Sequence, residues 1–181
     1  HFSEDMDFNC RLALAGCQFA GIDRCLNFRR FHSGRVIRNP RQRLEAALRS
    51  LNNTFSDERT PPEVHAVKGR AYSDHYLVWA IEALRQENTE TGLEWLRQSA
   101  AWRPAVVEGH PNDITTFLVY DTVHDDAEDH AQTYKKVVQQ LRSAAEFASV
   151  VQQAEWGIAR GWLVKAYRLL IWGSRVDGRA C

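Results

Sequence analysis

The sequence has no apolar run near the ~20 residues that a membrane-spanning helix requires, so we expect no integral membrane segment. It also has no excess of either charge, because 23 Lys and Arg side chains balance 23 Asp and Glu side chains. A chain without a basic excess has no electrostatic footprint for nucleic acid. We therefore expect no nucleic-acid partner and no strong attraction to anionic lipid.

Cysteine is sparse, and its spacing argues against a metal site. The four cysteines, at positions 10, 17, 25 and 181, form no Cys-x-x-Cys pair, so no zinc site is predicted. No secretory signal pattern is visible, and we interpret the cysteines as reduced and mostly buried. The expected location is the cytoplasm, with peripheral contact at the inner membrane face left open.

Apolar residues at helical spacing dominate the chain from Asn39 onward. Asn39-Pro40 predicts a capped helix start, and the apolar stripe that follows is Leu44, Ala47, Leu48, Leu51 and Phe55. Thr60-Pro61-Pro62-Glu63 predicts a second start, with Thr60 as the cap of a helix to about Gln86. The later predicted helices are one through Leu93 and Leu96 that stops before Pro104, then Asn112 to Val123, Asp126 to about Val151, and Trp156 to Trp172.

The helical pair within residues 60–104 resembles one tetratricopeptide unit of about 34 residues. The residues at the matching positions are Tyr76, Trp79, Ala80, Gly92, Leu96 and Ser99, and Pro104 closes the unit. A lone unit cannot form a solenoid, so we expect the pair to pack on neighbouring helices. Trp79 is predicted at the centre of that packing, and Trp79→Ala is expected to cost about 3–5 kcal/mol.

The N-terminal stretch Ser3-Glu4-Asp5-Met6-Asp7-Phe8 carries the strongest chemical signal. It places three carboxylates directly before an apolar helical run, with Ser3 as the expected cap and Gly16 as the expected end. Residues 17–22 and 26–32 then alternate partly between apolar and polar side chains, which favours two short strands. The local order is therefore predicted as helix, strand, strand.

These residues resemble the end of the catalytic domain in family-2 glycosyltransferases of the GT-A type. The matching pieces are E-D-M-D-F, L-A-L-A-G-C-Q-F and L-N-F-R-R-F-H-S-G, between Phe2 and Gly34. In that family an acidic Glu-Asp pair opens a helix, a Gly-containing turn follows, and a strand ends in Arg and His. Asp5-Met6-Asp7 also spells Asp-x-Asp, but the family's metal-binding Asp-x-Asp lies much earlier, so we interpret this one as coincidence.

The resemblance implies a role for four residues. Asp5, with Glu4 beside it, would be the general base that takes the proton of the acceptor hydroxyl. Arg30 would contact the donor, and His32 would lie near the donor diphosphate and a divalent metal, manganese or magnesium. The implied partners are a nucleotide-sugar donor and a glycan or lipid-linked acceptor, and the implied transfer inverts the anomeric centre.

The chain shows no βαβ pattern that would bind the nucleotide sugar. We therefore expect it to be the C-terminal part of a longer enzyme, inactive alone and without a bound metal. Residues 1–36 would be the remnant of the catalytic domain and residues 37–181 a helical extension. The resulting fold class is mainly α, a multi-helix bundle with a short N-terminal helix-strand-strand remnant.

Two alternatives stay open. The acidic residues at the helix start also complement the helix dipole without any catalysis. In that case the chain would be a helical interaction module that binds a protein partner or forms a homo-oligomer. The six tryptophans are interpreted as core residues, with sugar stacking at Trp95 and Trp102 as the alternative.

Overall fold

The computed structural model describes residues 3–24, 26, 39–124 and 129–172. Within these ranges the chain folds into helices and contains no strand, which confirms a mainly α, multi-helix bundle. The helices are α1 (Glu4–Leu14), α2 (Pro40–Ser56), α3 (Pro62–His65), α4 (Lys68–Arg85), α5 (Thr89–Trp102), α6 (Ala105–Glu108), α7 (Asp113–His124), α8 (Asp129–Leu141) and α9 (Ala148–Trp172). None of the described helices is both long and apolar enough to cross a membrane.

Helix α1 ends as predicted at Gly16. Gly16 has a φ of 82°, a left-handed conformation that glycine adopts without steric cost. Its N–H donates to the carbonyl of Ala13, and the N–H of Cys17 donates to that of Leu12, at 2.9 and 3.0 Å. These two bonds form a Schellman motif. The start of α1 differs from the prediction, because the Ser3 side chain makes no capping hydrogen bond.

The predicted strand over residues 17–22 is wrong, because these residues have no regular secondary structure and are exposed. Partial alternation over six residues does not bury an apolar face, and a strand needs a partner strand to satisfy its backbone. The second predicted strand, residues 26–32, lies outside the described residues except for Leu26.

Helix α2 begins where the cap and proline predicted. The Asn39 Oδ1 accepts a hydrogen bond from the backbone N–H of Gln42 at 3.2 Å, and Pro40 is the first helical residue. Leu44, Ala47 and Leu51 lie on the buried face of α2, as their spacing indicated. The helix therefore packs this stripe against α4.

The helix predicted from Thr60 to Gln86 is divided into α3 and α4. Thr60 does not cap α3, because Pro61 occupies the N-cap position and no side chain makes a capping hydrogen bond there. The Thr60 hydroxyl instead donates to the carbonyl of Thr54 at the end of α2. Ala66 and Val67 form a turn between the two helices, and Val67 is half exposed. The Thr60 hydroxyl therefore binds the end of α2, whereas the sequence pattern predicted it as the cap of the next helix.

Helices α4 and α5 form a close antiparallel hairpin. A Cβ added to Gly92 of α5 would lie only 2.5 Å from the Cγ of Leu84 on α4, so glycine permits the contact. The hairpin supplies much of the main core, which also takes side chains from α2 and from α6 to α9. Trp79 is only partly buried at the edge of this core, so its predicted central position is wrong. The apolar α4 residues with no exposed surface are Ala80, Ile81 and Leu84.

The last two helices, α8 and α9, begin and end at different residues from those predicted. The predicted helix from Asp126 to about Val151 is interrupted, because α8 ends at Leu141 and a 3-10 turn spans Ala145–Phe147. Helix α9 then runs without a break from Ala148 through Trp156. Phe147, at the end of the 3-10 turn, is 1% exposed and packs in the main core. The break between α8 and α9 therefore allows the Phe147 side chain to enter the core.

Candidate functional site

The acidic pair lies at the first turn of α1, where the positive end of the helix dipole favours carboxylates. Glu4 and Asp5 are both exposed. The Asp5 Oδ1 accepts a hydrogen bond from the backbone N–H of Met6 at 2.8 Å, which orients this carboxylate at the helix start. Asp7 instead forms an ion pair with Arg11, with 2.9 Å between its Oδ2 and the arginine Nε. Asp5 is therefore held by the backbone, and Asp7 is occupied by a neighbouring side chain.

Met6 attaches this acidic turn to the bundle. Its side chain packs against a small apolar cluster of Leu51, Phe55 and Tyr72, which is separate from the main core. Asp5 and Asp7 flank Met6 in sequence, so the acidic turn and this cluster lie at the same end of the molecule. This anchoring fixes the start of α1 relative to α2 and α4.

The cluster continues into an aromatic stack that reaches the surface, named here the aromatic end: Phe55, His65, Lys68, Tyr72 and Trp102. Tyr72 and Trp102 stack with ring centroids 4.6 Å apart and 21° between their planes. Phe55 contacts Tyr72 and His65, each at 5.9 Å between centroids. Trp102 is 42% exposed, whereas Tyr72 is 7% exposed. The stack therefore exposes the indole of Trp102, which packs on the buried ring of Tyr72.

Charge and hydrogen bonding fix the aromatic end. The Lys68 Nζ lies 5.7 Å from the Phe55 ring centroid and 6.0 Å from that of Tyr72, within cation–π range. The Tyr72 hydroxyl donates to the Asn52 Oδ1. Burial raises the pKa of Tyr72, and the neighbouring Tyr76 raises it further, so the hydroxyl stays protonated at neutral pH.

The two other residues that the resemblance assigned to the donor side, Arg30 and His32, lie outside the described residues. Within residues 3–24, 26, 39–124 and 129–172, no group of three His, Cys, Asp or Glu side chains could hold a metal ion. The structure therefore brings Glu4 and Asp5 together on one helix turn and leaves their relation to Arg30 and His32 as a prediction.

The sequence interpretation missed most of the aromatic end. Trp102 was named as a candidate for sugar stacking together with Trp95, but Trp95 is 5% exposed and belongs to the main core. Phe55 belongs to the predicted apolar stripe of α2, and both Phe55 and Tyr72 are buried. The available signal was position, since Phe55 and Trp102 are both near the C-terminal ends of their helices, where a side chain can reach past the bundle.

A second polar group lies at the junction of α5, α4 and α7. The Arg103 Nη2 is 2.7 Å from the Asp74 Oδ1 and 2.9 Å from the Asp113 Oδ2, so one guanidinium joins two carboxylates. Asn112 is fully buried, and its Oδ1 accepts from the backbone N–H of Thr115 at 2.8 Å, which caps α7. Gln153 of α9 accepts from the N–H of Asn112 at 3.0 Å. These contacts connect helices and are structural.

The fold and the site define a helical protein in which one end combines an exposed acidic turn with an aromatic stack that exposes Trp102. Comparisons with models of protein families, with curated proteins and with solved structures found no match for this chain. The tetratricopeptide resemblance of the α4–α5 hairpin has no support from them. A functional assignment therefore depends on the residues themselves.

Proposed function

We propose that this chain is part of a glycosyltransferase of the family-2 type, in which α1 supplies the acceptor side of the active site. Helices α2 to α9 would form an appended helical module. The observation that carries the proposal is the position of Asp5, an exposed carboxylate on the first turn of α1. A helix start holds such a group rigidly and leaves its second oxygen open to a substrate.

In the proposed sugar transfer, the first turn of α1 has to supply only a general base. A sugar hydroxyl is a poor nucleophile until a carboxylate within hydrogen-bond reach takes its proton. Asp5 would accept that proton while the hydroxyl oxygen bonds to the anomeric carbon of the donor. The bond to the nucleoside diphosphate breaks in the same step, and the diphosphate leaves with the electron pair. A single displacement of this kind inverts the anomeric centre.

The aromatic end offers a surface for the acceptor. An exposed indole such as Trp102 can stack on the C–H face of a sugar ring, because one side of a pyranose is largely apolar. Lys68 adds a positive charge to the aromatic end, 6.0 Å from the ring of Tyr72 that stacks on Trp102, which suits an acceptor that carries a phosphate. We therefore propose a glycan or lipid-linked acceptor, and a nucleotide-sugar donor bound by other residues.

We also propose that the full-length enzyme uses a manganese or magnesium ion, although none of the steps above involves it. Such an ion would stabilise the charge on the leaving diphosphate. The described residues contain no group that would hold it, and His32 lies outside them. No step of the mechanism above therefore passes through a metal.

The test uses the full-length product of the open reading frame that contains this chain. Transfer from nucleotide sugars is followed with manganese present, and we expect Asp5→Asn to lower turnover by about 10²–10⁴-fold while donor affinity is retained. Asp7→Asn is the matched control, because Asp7 pairs with Arg11 on the same helix. A full-length Asp5→Asn protein with normal turnover would refute the role of Asp5, and loss in Glu4→Gln instead would assign the base to Glu4.

A helical interaction module is the second candidate. It is favoured by the absence of a strand over residues 17–22 and by the exposed apolar residues Trp156 and Leu163 on α9. A module of this kind would bind a partner and perform no transfer. Full-length protein that releases no nucleotide from any nucleotide sugar would favour this candidate over the transferase.

A further inference from the structure

Helix α1 buries little of its surface on the rest of the bundle. None of its residues is buried, and its main contact is with α2. A helix of 11 residues is marginal in water on its own, so its position depends on tertiary packing. Met6 is the α1 residue that packs against an apolar cluster, the one formed by Leu51, Phe55 and Tyr72. The position of α1 on the bundle therefore depends mainly on this side chain.

The same residue also orients the Asp5 carboxylate. The backbone N–H of Met6 donates to the Asp5 Oδ1 at 2.8 Å, and Asp5 itself is exposed. Asp5 is therefore oriented by the Met6 backbone, and the Met6 side chain is held by the cluster on α2 and α4. Within that cluster Tyr72 stacks on Trp102, with 4.6 Å between the ring centroids. Met6 thus connects the proposed base to the proposed acceptor surface through a series of direct contacts.

We propose that Met6 is a positioning residue for the sugar transfer, because its packed side chain sets the place of Asp5 relative to an acceptor on the aromatic end. This inference rests on the proposed transferase function. In this role Met6 takes no proton and acts only through Asp5. A general base accelerates transfer only when it is within hydrogen-bond reach of the acceptor hydroxyl. A displacement of about 1 Å is enough to lower a rate by about a hundredfold.

A purely structural role for Met6 has a different consequence. Truncation of the side chain would then lower the stability of the protein and leave the kcat of the folded molecules unchanged. Met6→Ala is a mild change for the fold, since Met6 is only half-buried and alanine favours a helix. The variant is therefore expected to fold, and its kcat distinguishes the two roles.

The experiment measures kcat and KM of the full-length product of the open reading frame. The probes are uridine and guanosine diphosphate sugars as donors and methyl glycosides as acceptors, with manganese present. Met6→Ala is expected to lower kcat by about 10–100-fold with the donor KM unchanged. Met6→Leu should restore most of kcat, because leucine has a similar volume. Cys10→Ala is the matched control and should retain the parental kcat, since Cys10 is half-buried one turn further along α1 and is not part of the cluster.

The double variant D5N/M6A tests whether Met6 acts through Asp5. If it does, adding Met6→Ala to Asp5→Asn should lower kcat no further, because the base that Met6 positions is already absent. A loss in the double variant equal to the product of the two single losses would overturn the proposal, since Met6 would then act independently of Asp5. A Met6→Ala protein with the parental kcat would overturn it as well.

Amide hydrogen exchange in the same full-length proteins tests the packing of α1 without any activity. Met6→Ala should raise exchange across Glu4–Leu14, and Met6→Leu should not. Equal exchange in the parent and in Met6→Ala would show that Met6 does not hold the helix, which overturns the proposal. Raised exchange together with normal turnover in Asp5→Asn would instead refute the base role of Asp5, and the positioning role with it, while the contact of Met6 stands.

Discussion

Ser73 and Ser99 donate hydrogen bonds to each other's backbone carbonyls across the contact of α4 and α5. The Ser73 Oγ lies 3.0 Å from the Ser99 carbonyl oxygen, and the Ser99 Oγ lies 2.8 Å from that of Ser73. Both residues are fully buried. The two hydroxyls therefore join α4 and α5 through a reciprocal pair of buried hydrogen bonds.

The first prediction is that these two hydroxyls act as a unit. Ser73→Ala or Ser99→Ala alone should lower the free energy of unfolding by about 1 kcal/mol, because each removes one buried hydrogen bond. The double Ala variant should differ from the sum of the two single losses, since the two Oγ atoms lie 3.0 Å apart and each hydroxyl is part of the other's surroundings. Urea unfolding measures all three, and Ser143→Ala, at an exposed turn, is the control. Strictly additive losses would show that the hydroxyls act separately.

The parts of the fold that depend on local chemistry were predictable. Asn39 with Pro40 fixed the start of α2, and Gly16 fixed the end of α1, because capping involves only residues within one turn. The boundary at Leu141 was not predictable in this way. The apolar period continues through it without Gly or Pro, and the 3-10 turn exists because Phe147 enters the core.

In the candidate site, too, the features set by local sequence were predictable and those set by tertiary packing were not. The acidic first turn of α1 was visible in the sequence, since Glu4 and Asp5 precede an apolar helical run. The stack of Tyr72 on Trp102 was not, because it joins residues from two helices whose ends meet only after the hairpin folds. Sequence periodicity assigns a residue to a face, and it does not say which residue of another helix that face will meet.

The second prediction concerns the closest approach of α4 and α5. Gly92→Ala should destabilise the protein by about 1–3 kcal/mol, because the new Cβ would overlap the Leu84 side chain and lie 3.2 Å from the carbonyl oxygen of Ala80. Gly69→Ala is the matched control in α4, where the nearest atom is the Trp102 carbonyl oxygen at 3.4 Å. It should be neutral or stabilising by up to ~1 kcal/mol, because alanine favours a helix. Equal melting temperatures for the two variants would mean that the hairpin relaxes around the added methyl group.

The third prediction ranks three tryptophans by burial. Trp95→Ala should cost about 3–5 kcal/mol, because Trp95 is 5% exposed within the main core. Trp79→Ala should cost less, since Trp79 lies at the edge of that core, and Trp102→Ala should cost least. Thermal melting by circular dichroism measures the order. A larger loss in Trp79→Ala than in Trp95→Ala would return Trp79 to the centre of the packing, where the sequence had placed it.

The fourth prediction is a loss of stability at mildly acidic pH that depends on His75. Burial lowers the pKa of His75 below 6.5, and the nearby Asp74 carboxylate opposes that shift. The unfolded chain therefore binds a proton near pH 6.5 that the folded chain resists. Stability is complete above that pH and falls as the pH drops toward the lower folded pKa. Asp57 titrates in a lower pH range than His75. Arg59 beside Asp57 lowers the pKa of that carboxyl from 3.8 to about 2, so its contribution to stability is lost only in stronger acid.

Urea unfolding at about pH 7.5 and about pH 5.5 isolates this group, because the unfolded histidine changes charge between the two values. We expect the parent to be less stable at the lower pH and His75→Gln to reduce that difference. Asp74→Asn should enlarge it, because the carboxylate that favours protonated His75 is then absent. The readout is the change between the two pH values, which separates the titration from any loss of the ion pair between Asp74 and Arg103. A His75→Gln variant with the same pH dependence as the parent would show that His75 titrates alike in the folded and unfolded chains.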